Sequence, residues 1–210
     1  MKASFVGLAL GGMLASAAAM PMNDKHYEED KKHYDDKDSK KWEDDGKHHD
    51  SLNSFPFHFT STYYAKATPD TIISNAGASV PGQPGAMGYY SFGINSYQEV
   101  ICYNITLVGV TGSYQSPART ATHIHEAPAG SAGPPRLAFP NPTGDDWTRT
   151  SFGCLKGPFT TGLNGTNGQD TATGFSLGEI EANPSGFFAD VHTSEYVAGA
   201  VRGQLEKKDW

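Results

Sequence analysis

The stretch Ala121-Thr-His-Ile-His-Glu-Ala-Pro-Ala-Gly-Ser-Ala-Gly-Pro-Pro-Arg136 sets His123 and His125 two residues apart and then breaks into a Gly- and Pro-rich turn. In a β-strand alternate side chains share a face, so both imidazoles project the same way, roughly 7 Å apart along the strand. Two histidines so placed can close on one metal ion if a third ligand arrives from elsewhere, and imidazole is the commonest such ligand. His192, in Phe187-Phe-Ala-Asp-Val-His-Thr193, lies in a second strand-like run and is the best supplier. The alternative is a set of polar residues under a turn, hydrogen-bonded to backbone.

The surrounding sequence is written in the same short-strand style. Runs at 87–94, 98–110, 119–126, 149–155, 186–193 and 200–206 are separated by Pro81-Gly82, Pro84-Gly85, Asn95-Ser96, Gly112-Ser113 and Asn183-Pro184. Many short strands with this punctuation predict an all-β antiparallel Greek-key sandwich over residues 55–210, and about 150 residues suffice for one core. Within the second run Ile101, Tyr103, Ile105 and Leu107 are expected inward, with Cys102, Asn104 and Thr106 outward. Phe55, Phe57 and Phe59 alternate with Pro56 and His58, which puts His58 on the polar side, exposed or hydrogen-bonded rather than a ligand. Gly174-Phe-Ser-Leu-Gly178 matches a serine-nucleophile pattern, with Asp190 and His192 following in the right order. That pattern needs a strand-turn-helix in an α/β sheet, so Ser176-Leu-Gly-Glu179 is read instead as the capping box of one short helical segment.

Residues 1–19 have the layout of a cleaved secretory signal peptide, with Lys2, an apolar run and Ala17-Ala-Ala19. The two cysteines, Cys102 and Cys154, are then most simply one disulfide. Residues 20–54 are dominated by Asp, Glu, Lys and His and are expected to be disordered. That tail carries more than half of the net charge of −7, and an echo places His26 and His33 in matching contexts. Weak metal or wall binding by His26, His33, His48 and His49 is one reading of it; a solvated linker is the other. No basic face suggests nucleic acid. The polar ending Glu206-Lys-Lys-Asp-Trp210 predicts no lipid anchor. Asn104-Ile-Thr106 and Asn164-Gly-Thr166 are N-glycosylation sequons, the second in a Gly-rich loop and the more accessible from sequence.

Thr122-His-Ile-His-Glu126 with Gly130, Gly133 and Pro134, followed by Asp190-Val-His-Thr193 and Gly199-Ala-Val-Arg-Gly-Gln-Leu205, resembles the CHRD (chordin-type) domain family. Ala200 and Val201 stand where that closing strand usually has Glu and Ile. The resemblance spans about residues 55–206 and implies that the His192 strand lies beside that of His123 and His125. At the level of the site the chain also resembles copper/zinc superoxide dismutases, in its H-I-H-E strand and in Gly133-Pro-Pro-Arg-Leu-Ala-Phe-Pro-Asn-Pro142. The sandwich is therefore expected to be immunoglobulin-like or superoxide-dismutase-like. No histidine lies between Glu126 and Val191, so the bridging histidine of a dinuclear site is missing.

These readings predict a secreted, non-enzymatic protein of the cell surface, wall or extracellular matrix. In it His123, His125 and His192 bind copper, with zinc as the alternative. A mononuclear copper oxidoreductase, with Arg202 steering a small anion, is the second reading. A sandwich whose histidines bind nothing is the third, and for Arg202 the alternative to anion steering is a pairing with an acid such as Glu126 or Asp190.

Overall fold

The alternating runs pair into two antiparallel sheets that share one apolar core. The computed structural model describes residues 58–208, so the leader read over 1–19 and the tail read over 20–54 lie outside the described residues. The elements are β1 (Ser61–Ala67), β2 (Met87–Asn95), β3 (Val100–Val108), β4 (Thr122–Glu126), β5 (Pro135–Phe139), β6 (Thr143–Gly144), β7 (Thr148–Lys156), α1 (Leu177–Ala182), β8 (Phe187–Val191), β9 (Val201–Gln204) and β10 (Glu206–Lys207). One sheet runs β10-β1-β2-β3-β7-β6 and the other β5-β4-β8-β9. β7 returns beside β3, and β8 beside β4, across intervening strands of both sheets. These are the long connections of a Greek-key sandwich.

The packing follows from alternation. On β3, Ile101, Tyr103, Ile105 and Leu107 are buried and Asn104 is exposed, as the sequence predicts. From the other sheet Phe139 reaches over to Tyr103 and Phe92, with ring centroids 4.9 Å and 5.5 Å away. Burying each such side chain stabilises the fold by about 1.5–3 kcal/mol. Cys102 and Cys154 are direct partners across β3 and β7 and are disulfide-bonded over a sequence separation of 52. Closing a loop of that length contributes about 4 kcal/mol on the chain-entropy model.

The four-stranded sheet divides its side chains by function. Ile124, Leu137, Phe139, Phe187, Ala189, Val191 and Val201 belong to the core. Alternation turns their neighbours His123, His125, Phe188, Asp190 and Arg202 to the opposite face. Gly203 on β9 is fixed by contact, because a Cβ there would lie 2.4 Å from the Lys66 carbonyl oxygen of β1. α1 starts as read: the Glu179 carboxylate accepts the Ser176 N–H at 2.9 Å, and the helix stops at Asn183 before Pro184.

Candidate metal centre

β4 and β8 are antiparallel neighbours, with His123 opposite Asp190 and His125 opposite Phe188. Two residues beyond Asp190, just past the end of β8, the His192 N–H donates to the Ala121 carbonyl at 2.9 Å. Three histidines and one aspartate therefore meet on a single sheet face. A register shift between β4 and β5 falls between Ile124 and His125, a local device that re-aims side chains beside a site.

Each ring is anchored by its far nitrogen. His123 Nε2 lies 2.7 Å from the Thr120 carbonyl, His125 Nδ1 2.8 Å from the Gly133 carbonyl and His192 Nδ1 3.0 Å from the Val197 carbonyl. A carbonyl only accepts, so these three nitrogens carry the hydrogens. In the neutral rings, His123 Nδ1, His125 Nε2 and His192 Nε2 are then lone pairs, and all three point inward. Gly133 can deliver its carbonyl because it is glycine: a Cβ at that position would sit 1.9 Å from the Glu126 carbonyl oxygen.

The inward atoms converge with the Asp190 carboxylate. His123 Nδ1 and His125 Nε2 are 3.3 Å apart; Asp190 Oδ2 is 3.3 Å from His125 Nε2 and 3.0 Å from His192 Nε2; Asp190 Oδ1 is 3.6 Å from His123 Nδ1. All four ligand atoms lie within 4.8 Å of one another. A tetrahedral ion with bonds of about 2.0–2.1 Å has ligand-to-ligand edges of roughly 3.3 Å. The donor set therefore fits a metal ion. Asp190 Oδ1 is also buried without a hydrogen-bond partner, and a cation would supply what that oxygen lacks.

Burial and charge work against each other here. Burial alone would raise the Asp190 carboxyl, yet the imidazoles of His125, His192 and His123 hold it well below the ordinary carboxylate range. Burial pushes His123 below the usual imidazole value, against the pull of Asp190. For His192 burial also opposes the charge, but Asp190 and the Val197 carbonyl prevail and raise it.

Around the cluster, Phe188 stacks on His125 at 4.9 Å, and the Arg202 guanidinium lies 3.5 Å from the centre of the Phe188 ring. Arg202 is buried, donates to the Pro128 carbonyl at 3.3 Å and is depressed by desolvation, with Asp190 partly compensating. Glu126, at the end of the histidine strand, pairs with Arg136 at 2.6 Å, and Arg136 also donates to the Thr171 carbonyl. Above the rings opens a cavity of about 550 Å³, lined by His123, His125, His192 and by loop residues such as Pro117, Leu163, Asn164 and Val197. Among the described residues none of its lining is Lys or Arg.

The structure brings His123, His125 and His192 together and adds Asp190, which sequence reasoning did not count as a ligand. The signal was present: Asp190 and His192 repeat the two-residue spacing of His123 and His125. His58 is exposed and outside the cluster. Ser176 opens α1, while both ring nitrogens of His192 are occupied by Val197 and Asp190, so no serine-histidine pair forms. Asn104 and Asn164 are both exposed.

Fold and site together define an all-β sandwich domain with a buried three-histidine, one-aspartate cluster capable of holding a metal ion. The chain belongs to the CHRD domain family, whose model matches residues 71–205 and thus takes in every member of the cluster. No curated protein and no solved structure matches the chain. Among the described residues no helix is long and apolar enough to cross a membrane.

Proposed function

We propose that this domain is an extracellular module that holds one metal ion, copper in preference to zinc, in His123, His125, His192 and Asp190, and that its role is binding rather than turnover. One observation carries the reading: every ring nitrogen facing outward is committed to a backbone carbonyl, leaving three lone pairs and a carboxylate aimed at one another. Such an arrangement is repulsive until a cation occupies its middle, and anchored far nitrogens are the usual support of metal-binding histidines. The Irving-Williams order favours copper among divalent ions at nitrogen sites. Bound there, copper supplies one-electron redox chemistry and either metal supplies Lewis acidity. The chain's own part is to fix the rings through Thr120, Gly133 and Val197, to provide the negative charge of Asp190, and to exclude water with Phe188. Family membership and the disulfide support the extracellular assignment. A cell-wall or matrix component is the expected class of partner.

Four protein donors close a site, whereas catalytic centres keep a position open. The buried stacking of Arg202 on Phe188 also favours a supporting role for it over that of an anion guide. A copper oxidoreductase remains the second reading because the cavity opens over the three rings. Superoxide and peroxide turnover by the copper-loaded chain distinguishes it from the first. The metal reading itself is tested by titrating copper and zinc into the mature protein and into its His123→Ala, His192→Ala variant, with folding checked by circular dichroism. A loss of the tight equivalent in the variant is expected. Equal affinity in both would refute the site and favour a sandwich whose histidines are structural.

A further inference from the structure

The six-stranded sheet turns one face to solvent, and on that face β7 carries an exposed aromatic ring. Phe152 on β7 is 80% exposed in the middle of its strand rather than at a loop tip, paired with β3 on one side, while β6 on the other side reaches only Arg149 and Thr150. Directly opposite, on β3, is Asn104. Asn104 heads the sequon Asn104-Ile-Thr106, and Thr106 projects to the same face two residues on. The exposed Asn104 side chain makes no hydrogen bond with any described residue.

Register makes the pair close. Cys102 and Cys154, two residues along the same ladder, have Cα atoms 3.9 Å apart and form one of its narrow pairs. Narrow pairs recur at every second position of an antiparallel ladder, so Asn104 and Phe152 form the next, with β-carbons about 4.5–5.5 Å apart. On the other side of Asn104 is Ser91, small and exposed, and beyond it Tyr64. The neighbouring row is Lys66, Tyr89, Thr106 and Thr150, so next to Asn104 the face is aromatic and hydroxylated, with the charges of Lys66 and Glu206 only farther along the rows, on β1 and β10.

We propose that Asn104 carries an N-linked glycan whose first N-acetylglucosamine lies against Phe152. In the transfer, the Asn104 amide nitrogen replaces the diphosphate of a lipid-linked oligosaccharide at the sugar's anomeric carbon. The new N–C bond forms, the C–O bond to the diphosphate breaks with its electron pair, and one amide proton leaves to the transferase base. The C–H face of the pyranose is apolar, and an aromatic ring face is its natural partner, so both surfaces leave water together. Asn164 offers no comparable partner: its sequon lies in a Gly- and Thr-rich loop at the rim of the metal cavity. The sheet position, and not loop accessibility, therefore selects the structurally useful sequon.

The inference rests on the extracellular reading, and the experiment separates the two. The full chain is expressed in a secreting eukaryotic cell, together with Thr106→Ala and Phe152→Ser, and the medium is analysed by glycopeptide mass spectrometry. Occupancy at Asn104 is expected in the parent and in Phe152→Ser, and none in Thr106→Ala. The secreted, folded proteins are then melted before and after enzymatic glycan removal. Removal is expected to lower the melting midpoint of the parent by about 2–4 °C, equivalent to roughly 1 kcal/mol for a domain of this size. It should leave Phe152→Ser unmoved, a double-cycle readout of the contact. A chain retained in the cell would overturn the extracellular reading and this inference with it. A secreted chain bare at Asn104 would overturn the inference alone, and equal losses in parent and Phe152→Ser would overturn the stacking.

Discussion

Replacing Asp190 by Asn separates a metal ligand from a structural ion pair. Asp190 is 3% exposed and is the one acid among the four clustered groups. The Asn side chain has nearly the same shape, and its amide can donate to His192 Nε2, which lies 3.0 Å from the present Oδ2. At about pH 8, above the ordinary imidazole value of about 6.5, the metal-free variant should therefore stay within about 1 kcal/mol of the parent. Metal binding should suffer far more. Losing an outer partner of a ligand already costs 10- to 100-fold in affinity, so losing a charged donor should cost at least about 100-fold, roughly 2.7 kcal/mol. With free copper at 100 times the parent dissociation constant, the parent gains about 2.7 kcal/mol and the variant about 0.4 kcal/mol. By calorimetry that is a metal-induced rise of about 5–11 °C against about 1–2 °C. A variant that keeps the parent's metal-induced rise would refute the role given to Asp190. One that is instead destabilised by about 3–5 kcal/mol without metal would mark a buried ion pair.

Two further outcomes follow from the same geometry. Arg202→Leu keeps the apolar stem beside Phe188 but loses the cation–π contact and the bond to Pro128, so urea unfolding should show a loss of about 1–3 kcal/mol. An unchanged midpoint with altered binding of small anions would return Arg202 to an anion-guiding role. In the metal-free protein His192, raised in the fold, adds stability that is complete below the unfolded imidazole value of about 6.5 and is lost as pH rises through its folded value. His123 is lowered, so the unfolded chain takes a proton that the fold refuses, and stability falls as pH drops below about 6.5. Removing the first term in His192→Asn should leave the second unopposed. Urea midpoints between about pH 8 and pH 5 in chelator should then fall more steeply than in the parent, and parallel slopes would count against the assignment.

Much of this architecture is legible from alternation, because β2, β3 and β8 have the strong apolar rhythm of strands with a buried face. β1 is not, since two of its inward residues, Ala65 and Ala67, are too small to stand out from the polar residues between them. β5 is hidden because Pro135 opens it behind Pro134, and proline argues against a strand unless the strand is an edge, which β5 is. The histidine pair is legible because a two-residue spacing has one meaning in a strand. Asp190 was obscured by its place in an apolar run, where a lone acid reads as a partner for a basic residue. The orientation of Arg202 depends on Phe188, and only the pairing of β8 with β9 brings those two side chains together.

The two faces of β8 have consequences for how such a domain can diverge. Ala189 and Val191 belong to the sandwich while Asp190 answers to the histidines, so the same five-residue strand serves two masters through parity alone. Point changes at even positions can abolish or retune ion binding while the hydrophobic seam stays intact, which leaves descendants free to lose the chemistry and keep the shape. An insertion or deletion of one residue has no such freedom, because it would drive Asp190 inward and expose the seam together. Divergence at the site should therefore proceed by substitution in β4 and β8 and by length change in the loops that roof the cavity.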